Sequence, residues 1–527
     1  MSVAPASDLS SPVWNVMTGT ATKYVHLAVN VALGVVLMPF TIRHLGASEY
    51  GLWMLVASLT GYFQLLDLGY GSGLVRHVAD ADARGDVEGV NKILSTFAVV
   101  YAGLGVIAAI GTLALVFWAV PRFPNLSAPE IRRGQLILAI MGIRMAIGFP
   151  MTVFGAATTA RQRFALNNTV SIVVALVNGL VTYVVLASGH GLLELVIATT
   201  SVGVASYGAY IWTAKRAFPE LRIRLSSFSR ALVRDVTAFS VYLLIIDIAV
   251  QIGFNLDNVV IGAALGTSAI AIYAVTLRIA DYQRQLSGQV NGFLFPIAVR
   301  FGAGGRAAAL EAMLIEGTRI ALILVTGVTI CVVGFAQPLI VRWMGPAFEA
   351  GVVPLYVLAA AGVVLVGQGP LGSVLLATGR HRLVAWVSLG EAVANLALSV
   401  VLVRRFGILG VAIGTAVPVV LANLFILLPA ACRQFQLPSL RFLRLVMAAP
   451  VAGAIPAIAV CVFLRLAYPP TTIPAILFES GAVGIVYLAA VCVFGFDRVS
   501  RARYLDYVRN LVAAPRAAGH PVAEIAS

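Results

Sequence analysis

The chain has 527 residues, of which 60% are hydrophobic and only 11% are charged, and its formal net charge is +14. A soluble domain carries about 45–50% apolar and about 25% charged residues, because water must solvate its surface. The composition therefore excludes a soluble globular protein and indicates an all-α polytopic membrane protein, in which about 20 apolar residues cross the bilayer per helix.

Apolar runs bounded by charged residues or by Gly/Pro turns predict about fourteen transmembrane helices. The runs lie at residues 22–42, 50–75, 93–120, 135–158, 166–188, 191–213, 236–263, 268–298, 316–340, 351–377, 383–403, 408–431, 444–467 and 473–496. The runs that meet near Gly189 and near Gly407 are counted as separate spans, although each pair is close enough to be misread as one long helix. Residues 1–20 contain Asp8 and no basic residue, so we expect the first span to act as the targeting signal.

Basic residues are unevenly distributed among the predicted loops. With a cytoplasmic N-terminus, the inner loops hold about three times as many Lys and Arg residues as the outer loops, as the positive-inside rule requires. An even number of spans then places both termini in the cytoplasm. Because the cations lie in short clusters between apolar runs, they indicate topology. Lipid is the expected environment, and nucleic acid is not an expected partner.

The two halves of the sequence repeat each other. Leu45-Gly-Ala-Ser recurs as Leu265-Gly-Thr-Ser, 220 residues later. Further matches at this offset pair Tyr62 with Tyr282, Pro150 with Pro370, and Ala157-Thr158 with Ala377-Thr378. We interpret the pattern as a duplicated six-helix unit, which gives two lobes in pseudo-twofold repeat plus two C-terminal helices. The predicted parts are an N-terminal lobe 1–215, an inter-lobe loop 216–235, a C-terminal lobe 236–433, two extra spans 434–496 and a cytoplasmic tail 497–527. Two lobes around a cleft are typical of transporters.

Motifs for catalysis or cofactor binding are missing from the sequence. It contains no P-loop, no His-Glu-x-x-His and no Gly-x-Ser-x-Gly. The four cysteines lack metal-binding spacing and are interpreted as packing residues. We therefore expect a protein that is not an enzyme, has no cofactor or metal site, and draws on an ion gradient or on the gradient of its substrate.

Polar side chains inside a span are costly in lipid and usually face the interior of the helix bundle. In the seventh predicted span Asp247, Gln251, Asn255 and Asn258 share one face, which we expect to line the cleft. Asp257 lies off this face, near the membrane surface, and is interpreted as part of a solvated helix end.

The eighth predicted span carries several charges. Arg278 and Asp281 share a face, with Arg284 on another side. Arg278 and Asp281 either neutralise each other at i, i+3 or face a substrate. The fourth span has a single arginine, Arg144, which needs water, an acid or an anionic ligand. Glu391 is one possible acid partner and also a candidate proton carrier; Glu194 is another possible partner.

A cleft that contains Arg144, Arg278 and Arg284 is suited to bind an anion, because one guanidinium can donate two hydrogen bonds to the oxygens of a phosphate. Carboxamides and tyrosines, Tyr282 among them, suit sugar hydroxyls. An amphiphile with a phosphate-bearing sugar head would satisfy both requirements.

Two stretches in the first half carry a family resemblance. They are Leu45-Gly-Ala-Ser-Glu-Tyr-Gly-Leu-Trp53 and Leu65-Leu-Asp-Leu-Gly-Tyr-Gly71, followed by Arg76. Through them the chain resembles the polysaccharide-transporter, or oligosaccharide flippase, family of the multidrug/oligosaccharidyl-lipid/polysaccharide superfamily. The stretch Asn255-x-Asp257-Asn258-x-Val260-Ile261-Gly262 is similar as well.

The resemblance implies an ion-coupled flippase that moves an undecaprenyl-pyrophosphate-linked oligosaccharide across the bacterial inner membrane for O-antigen, capsule or exopolysaccharide assembly. A polysaccharide polymerase and chain-length machinery would be its protein partners. We expect two groups of functional residues: substrate-binding Arg144, Arg278, Arg284, Gln251, Asn255, Asn258 and Tyr282, and ion-coupling or gating Asp247, Asp67, Arg76, Glu391 and Asp281. A cation-coupled multidrug antiporter of the same fold and a membrane polysaccharide polymerase remain alternatives.

Overall fold

A computed structural model of the protein describes residues 10–67, 69–234, 256–288, 291, 294, 298, 299, 301 and 306–496. These parts of the chain form helices joined by turns. The helices are α1 (Ser10–Gly61), α2 (Tyr70–Ala83), α3 (Val87–Ala114), α4 (Ala128–Ala160), α5 (Phe164–Ala187), α6 (Leu192–Ala217), α7 (Leu256–Leu265), α8 (Thr267–Gly288), α9 (Ala307–Gly334), α10 (Ala336–Met344), α11 (Val352–Ala377), α12 (His381–Phe406), α13 (Ile408–Ala422), α14 (Leu428–Arg433), α15 (Ser439–Ala467) and α16 (Ile473–Phe494).

Within the described ranges, 11 helical segments are long and apolar enough to cross a membrane. The all-α polytopic architecture is therefore confirmed, whereas the count of fourteen spans is not. The first two predicted spans are counted once because they lie in one segment, Thr18–Asp67, which is kinked at Gly46. Most of the seventh span lies outside the described residues, and the charges on α8 exclude it from the apolar set.

Glycines with positive φ mark the sharp bends between helices. Gly189 (φ 79°) and Gly407 (φ 59°) separate the helices that flank them, so neither pair merges into one helix. In α1, Gly46 (φ 82°) has non-helical backbone angles and separates two helices across a kink, at the boundary predicted between the first two spans. A left-handed conformation costs glycine little, since it has no Cβ.

Large apolar side chains cover the outside of the spans. Phe117, Trp118, Leu466 and Phe478 are each at least 65% exposed. In water such a surface would aggregate, but in a bilayer it contacts acyl chains of equal polarity. The protein is therefore a multi-pass membrane protein.

Packing divides the chain into two units. The first unit comprises Met1–Arg278 and Arg380–Val419, and the second comprises Ile279–Gly379 and Val420–Ser527. The lobe boundaries predicted from the sequence stay a prediction.

The first unit has a core between α2, α3 and α4, in which Leu74, Phe97 and Tyr101 are fully buried. The segment after α6 is attached to this core. Asn91 on α3 donates to the carbonyl of Glu220 at 3.0 Å and accepts from the amide of Arg222 at 2.8 Å. Three amides of the segment thus find side-chain acceptors on one helix, since Ser95 and Thr96 accept from the amides of residues 224 and 229.

The second unit has a core between α9, α15 and α16. Tyr487 on α16 is buried and donates to the carbonyl of Ile323 on α9 at 2.8 Å. Cys461 packs in the same core, as expected for a packing residue. The two C-terminal helices are thereby fixed to α9.

Candidate functional site

Asp67 and Gly69 of the Leu-Asp-Leu-Gly-Tyr-Gly motif lie between α1 and α2. Asp67 accepts from the hydroxyl of Tyr101 at 2.5 Å and from the amide of Gly71 at 3.3 Å. Gly69, at φ 73°, caps α2 in a left-handed conformation. The motif thus has a structural explanation: the aspartate ties the turn to the core of the first unit. Arg76 lies one turn further along α2 and is exposed.

The repeated Leu-Gly-x-Ser motifs come together in the first unit. The hydroxyl groups of Ser48 on α1 and Thr267 on α8 are 2.9 Å apart. Both donate to the same Oε1 of Glu130 on α4, at 2.7 and 3.0 Å. We call Ser48, Glu130 and Thr267 the repeat junction.

A capping box holds the side chain of Glu130 in its position within the repeat junction. Its Oε2 accepts from the amide and the hydroxyl of Ser127 at 2.8 and 2.6 Å, which leaves Oε1 for the other two hydroxyls. Next to the repeat junction, the backbones of α1 and α8 approach each other closely. A Cβ on Gly51 would lie 1.8 Å from the carbonyl oxygen of Thr267, so only glycine fits there.

A buried carboxylate lies where α7, α8 and α13 meet. Asp257 is 3% exposed and accepts from the hydroxyl groups of Tyr273 at 2.7 Å and Thr415 at 3.1 Å. Its interpretation as part of a solvated helix end was wrong, because hydroxyl groups from two other helices cover it. Asn258, the next residue, is also buried and donates to Ser58 on α1 at 2.8 Å.

Arg144 lies between α4 and α6. Its guanidinium lies directly against Gly203, where a Cβ would come within 2.4 Å of Nε. The hydroxyl of Tyr207 donates to the Arg144 carbonyl at 3.1 Å and lies near its guanidinium. Glu194, one possible acid partner, accepts instead from the amide of Gly191 at the start of α6. Within the described ranges Arg144 forms no salt bridge.

The charges of α8 include one ion pair. Asp281 forms a salt bridge with Arg284 at i, i+3, and Arg278 is exposed. The two paired residues belong to the second unit and Arg278 to the first. Of the two alternatives left open for Arg278 and Asp281, their mutual neutralisation is not seen among the described residues, and contact with a substrate stays a prediction.

The remaining predicted residues are placed as follows. Tyr282 on α8 and Glu391 on α12 are half-buried. Asp247, Gln251 and Asn255 lie outside the described residues. Among the residues that the structure describes, no group of three His, Cys, Asp or Glu side chains could hold a metal ion.

Sequence reasoning missed Glu130 and Thr415 as members of polar clusters. The Ser-x-x-Glu spacing of Ser127 and Glu130 is a capping-box signal that could have located the first of them. Nothing in the local sequence marks Thr415, because its partner is 158 residues away.

Solved structures with this fold come from membrane transporters. The chain is similar to the Lipid II flippase MurJ in an inward closed conformation, with a TM-score of 0.68 and 10% identity over 93% of this chain and 100% of that chain. It is also similar to an inward-facing multidrug resistance MATE family transporter of the MOP superfamily, with a TM-score of 0.65 and 13% identity over 80% of this chain and 98% of that one. These likenesses define the class as an all-helical transporter fold.

The family follows from the sequence match. The family model described as polysaccharide biosynthesis protein matches residues 20–301, more than half of the chain. The chain belongs to this family, which confirms the resemblance seen in its motifs. A relative, the uncharacterized membrane protein EpsK of Bacillus subtilis (strain 168), is 23% identical over 399 residues, which cover 75% of this chain and 78% of that protein.

Proposed function

We propose that the protein is a flippase that moves an undecaprenyl-pyrophosphate-linked oligosaccharide across the bacterial inner membrane for O-antigen, capsule or exopolysaccharide assembly. One observation carries the proposal: a chain of the polysaccharide biosynthesis family has the fold of a lipid II flippase. We place the protein in the inner membrane with both termini in the cytoplasm. On the outer side of this membrane, a polysaccharide polymerase and chain-length machinery would receive its product.

The proposed mechanism is ion-coupled alternating access. Under the predicted topology the repeat junction lies on the outer side of the membrane. Its hydroxyl–carboxylate bonds join elements of both sequence repeats, so they are suited to close that side and to break when it opens. Each such bond contributes about 1–3 kcal/mol, which is small enough for a reversible gate.

Arg144 and Arg278 are the proposed contacts to the pyrophosphate. A guanidinium offers paired donors to phosphate oxygens, and the absence of a salt bridge to Arg144 in the described part of the chain leaves its charge for a ligand. Asn258 and Tyr282 are proposed contacts to sugar hydroxyls, together with Gln251 and Asn255.

Arg284, the third arginine proposed to bind substrate, is less available to an anion than Arg144 and Arg278. Arg284 is already paired with Asp281, so it would bind an anion only after that salt bridge opens. We propose ion coupling or gating for Asp247, Asp67, Arg76, Glu391 and Asp281.

The test is deletion of the gene in its native host, followed by mass spectrometry of the lipid extract and an assay of surface polysaccharide. We expect a pyrophosphate-linked oligosaccharide to accumulate and the polymer to be lost. Complementation with Arg144→Ala or Arg278→Ala should restore membrane abundance but not export, whereas the exposed Arg163→Ala should restore both. Full export by both cleft variants would defeat the cationic-cleft mechanism.

A cation-coupled multidrug antiporter is the second candidate, favoured by the likeness to the MATE structure. It predicts an unchanged lipid pool and intact polymer in the deletion strain, with increased accumulation of cationic dyes. Dye accumulation and lipid analysis of the same cultures therefore separate the two functions.

A further inference from the structure

The second unit contains a cavity of about 500 Å³ between α9, α11, α15 and the π-helical turn Asn423–Leu427 that follows α13. Its walls are almost entirely apolar and include Val363, Leu371, Leu424 and Met447. All of these belong to spans that cross the membrane, so hydrocarbon is the solvent nearest to the cavity.

Four of the residues that line the cavity are polar: Thr318, Gln368, Asn423 and Arg444. Thr318 on α9 is 2% exposed and has no hydrogen-bond partner for its hydroxyl among the described residues. A buried hydroxyl without a partner is unfavourable, which indicates that an acceptor or donor from a ligand belongs there.

Arg444 lines the same cavity, near the start of α15, and is exposed. Its position near Thr318 follows from the neighbouring residues, because Arg319 donates to the carbonyl of Leu445 at 3.1 Å. The charge of Arg319 is balanced by Glu316. Within the described part of the chain Arg444 has no such acid, so it offers a cation without a salt bridge at the wall of an apolar cavity.

The cavity has room for a hydrocarbon chain. It measures about 500 Å³, and on this measure one water-sized group needs only about 10–15 Å³. An acyl chain of a phospholipid therefore fits.

We propose that this cavity binds one acyl chain of an anionic membrane phospholipid, with the ester group at Thr318 and the phosphate at Arg444. Charge complementarity selects the headgroup, since an arginine near the membrane surface attracts anionic lipids. The proposed lipid is a bound partner of the second unit, and its presence does not depend on the proposed flippase activity.

The test measures bound lipid on the full-length protein reconstituted in nanodiscs of phosphatidylglycerol and phosphatidylethanolamine. After transfer to a mild detergent, native mass spectrometry should find about one phosphatidylglycerol retained per protein. Arg444→Gln should reduce this retention at least fivefold. Arg441→Gln is the matched control, since Arg441 is exposed one turn away on the same helix and does not line the cavity.

A second variant, Val363→Phe, fills the apolar part without altering a charge. Val363 is only half-buried, so the larger ring should be tolerated, and retention of the lipid should fall while the melting temperature is maintained. Equal retention of phosphatidylethanolamine, unchanged retention in both variants, or exchange of the bound species for a polyprenyl lipid or detergent would each overturn the proposal.

Discussion

The guanidinium of Arg161 lies 3.4 Å above the centre of the Phe218 ring. The same arginine forms a salt bridge with Asp82 at 2.9 Å and donates to the carbonyl of Ala217 at 2.6 Å. One side chain at the end of α4 thus joins α2 to the end of α6. Because the ring beneath it is buried, the cation meets the aromatic face with little water between them.

Arg161→Ala should lower the free energy of unfolding by about 1–3 kcal/mol, because it removes the cation–π contact and leaves Asp82 without its partner. Arg161→Lys should lose less, since it keeps the charge but not the paired donors. Thermal unfolding in detergent measures both. Arg163→Ala, an exposed position two residues away, is the control, and an equal loss there would contradict the assignment.

Gly51→Ala should destabilise the first unit by about 1–3 kcal/mol, because the new methyl group overlaps the carbonyl of Thr267. Gly103→Ala provides the contrast, as nothing lies within 4 Å of a Cβ at that position. The control should be neutral or stabilising by up to about 1 kcal/mol, since alanine is the better helix former. Melting temperatures of the two variants decide between close packing and a general intolerance of substitution.

Asp257→Ala should be far more damaging than Asp257→Asn. Alanine leaves the hydroxyl groups of Tyr273 and Thr415 buried without an acceptor, at about 1–3 kcal/mol each, whereas asparagine keeps one acceptor oxygen. Yield and melting temperature of the purified variants report the difference. Comparable stability of Ala and Asn variants would mean that the two hydroxyls find other acceptors.

Gly203→Ala should reproduce part of the export defect expected of Arg144→Ala, because the methyl group displaces the guanidinium from its place against α6. Gly208→Ala lies on the same helix in open space and should export normally. Surface polysaccharide is quantified at equal membrane abundance. Normal export by Gly203→Ala, with Arg144→Ala defective, would show that the position of the guanidinium is not important.

Asn91→Ala should make residues 218–229 more accessible to trypsin. The change removes the two hydrogen bonds by which the Asn91 side chain holds the backbone of this segment to α3. Cleavage after Arg222 and Arg224 is followed in inside-out vesicles. Glu88→Ala, an exposed change on the same helix, should leave the cleavage rate unchanged. A rate equal to that of the unaltered protein would mean that the remaining bonds to Ser95 and Thr96 suffice.

Much of the fold could be predicted because lipid imposes a strong pattern. Long apolar runs must become helices, and turns must satisfy their own backbone, so Gly189 and Gly407 were readable as boundaries. The break at Gly46 was also predicted, since it lies between the apolar runs 22–42 and 50–75. The wrong interpretation of Asp257 arose because its burial depends on contacts with α8 and α13. The hydrophobic periodicity of a single span carries no information about such contacts.

Candidate site residues were predictable where one helix determines the partner. Asp281 and Arg284 satisfy a local i, i+3 spacing, as Asp281 and Arg278 do, so sequence spacing left two equal choices. Contacts between residues that are far apart in the sequence leave no spacing pattern from which they could be predicted. The place of Arg144 depends on Gly203, and only the absence of a side chain there makes room for it.

The segment that follows α6 has a consequence for biogenesis. Its bonds to Asn91, Ser95 and Thr96 use partners that have all been synthesised before residue 230 leaves the ribosome. The first six helices can therefore fasten their own trailing end while the second repeat is still being translated. The later helices then join a chain in which the segment after α6 is already held against α3.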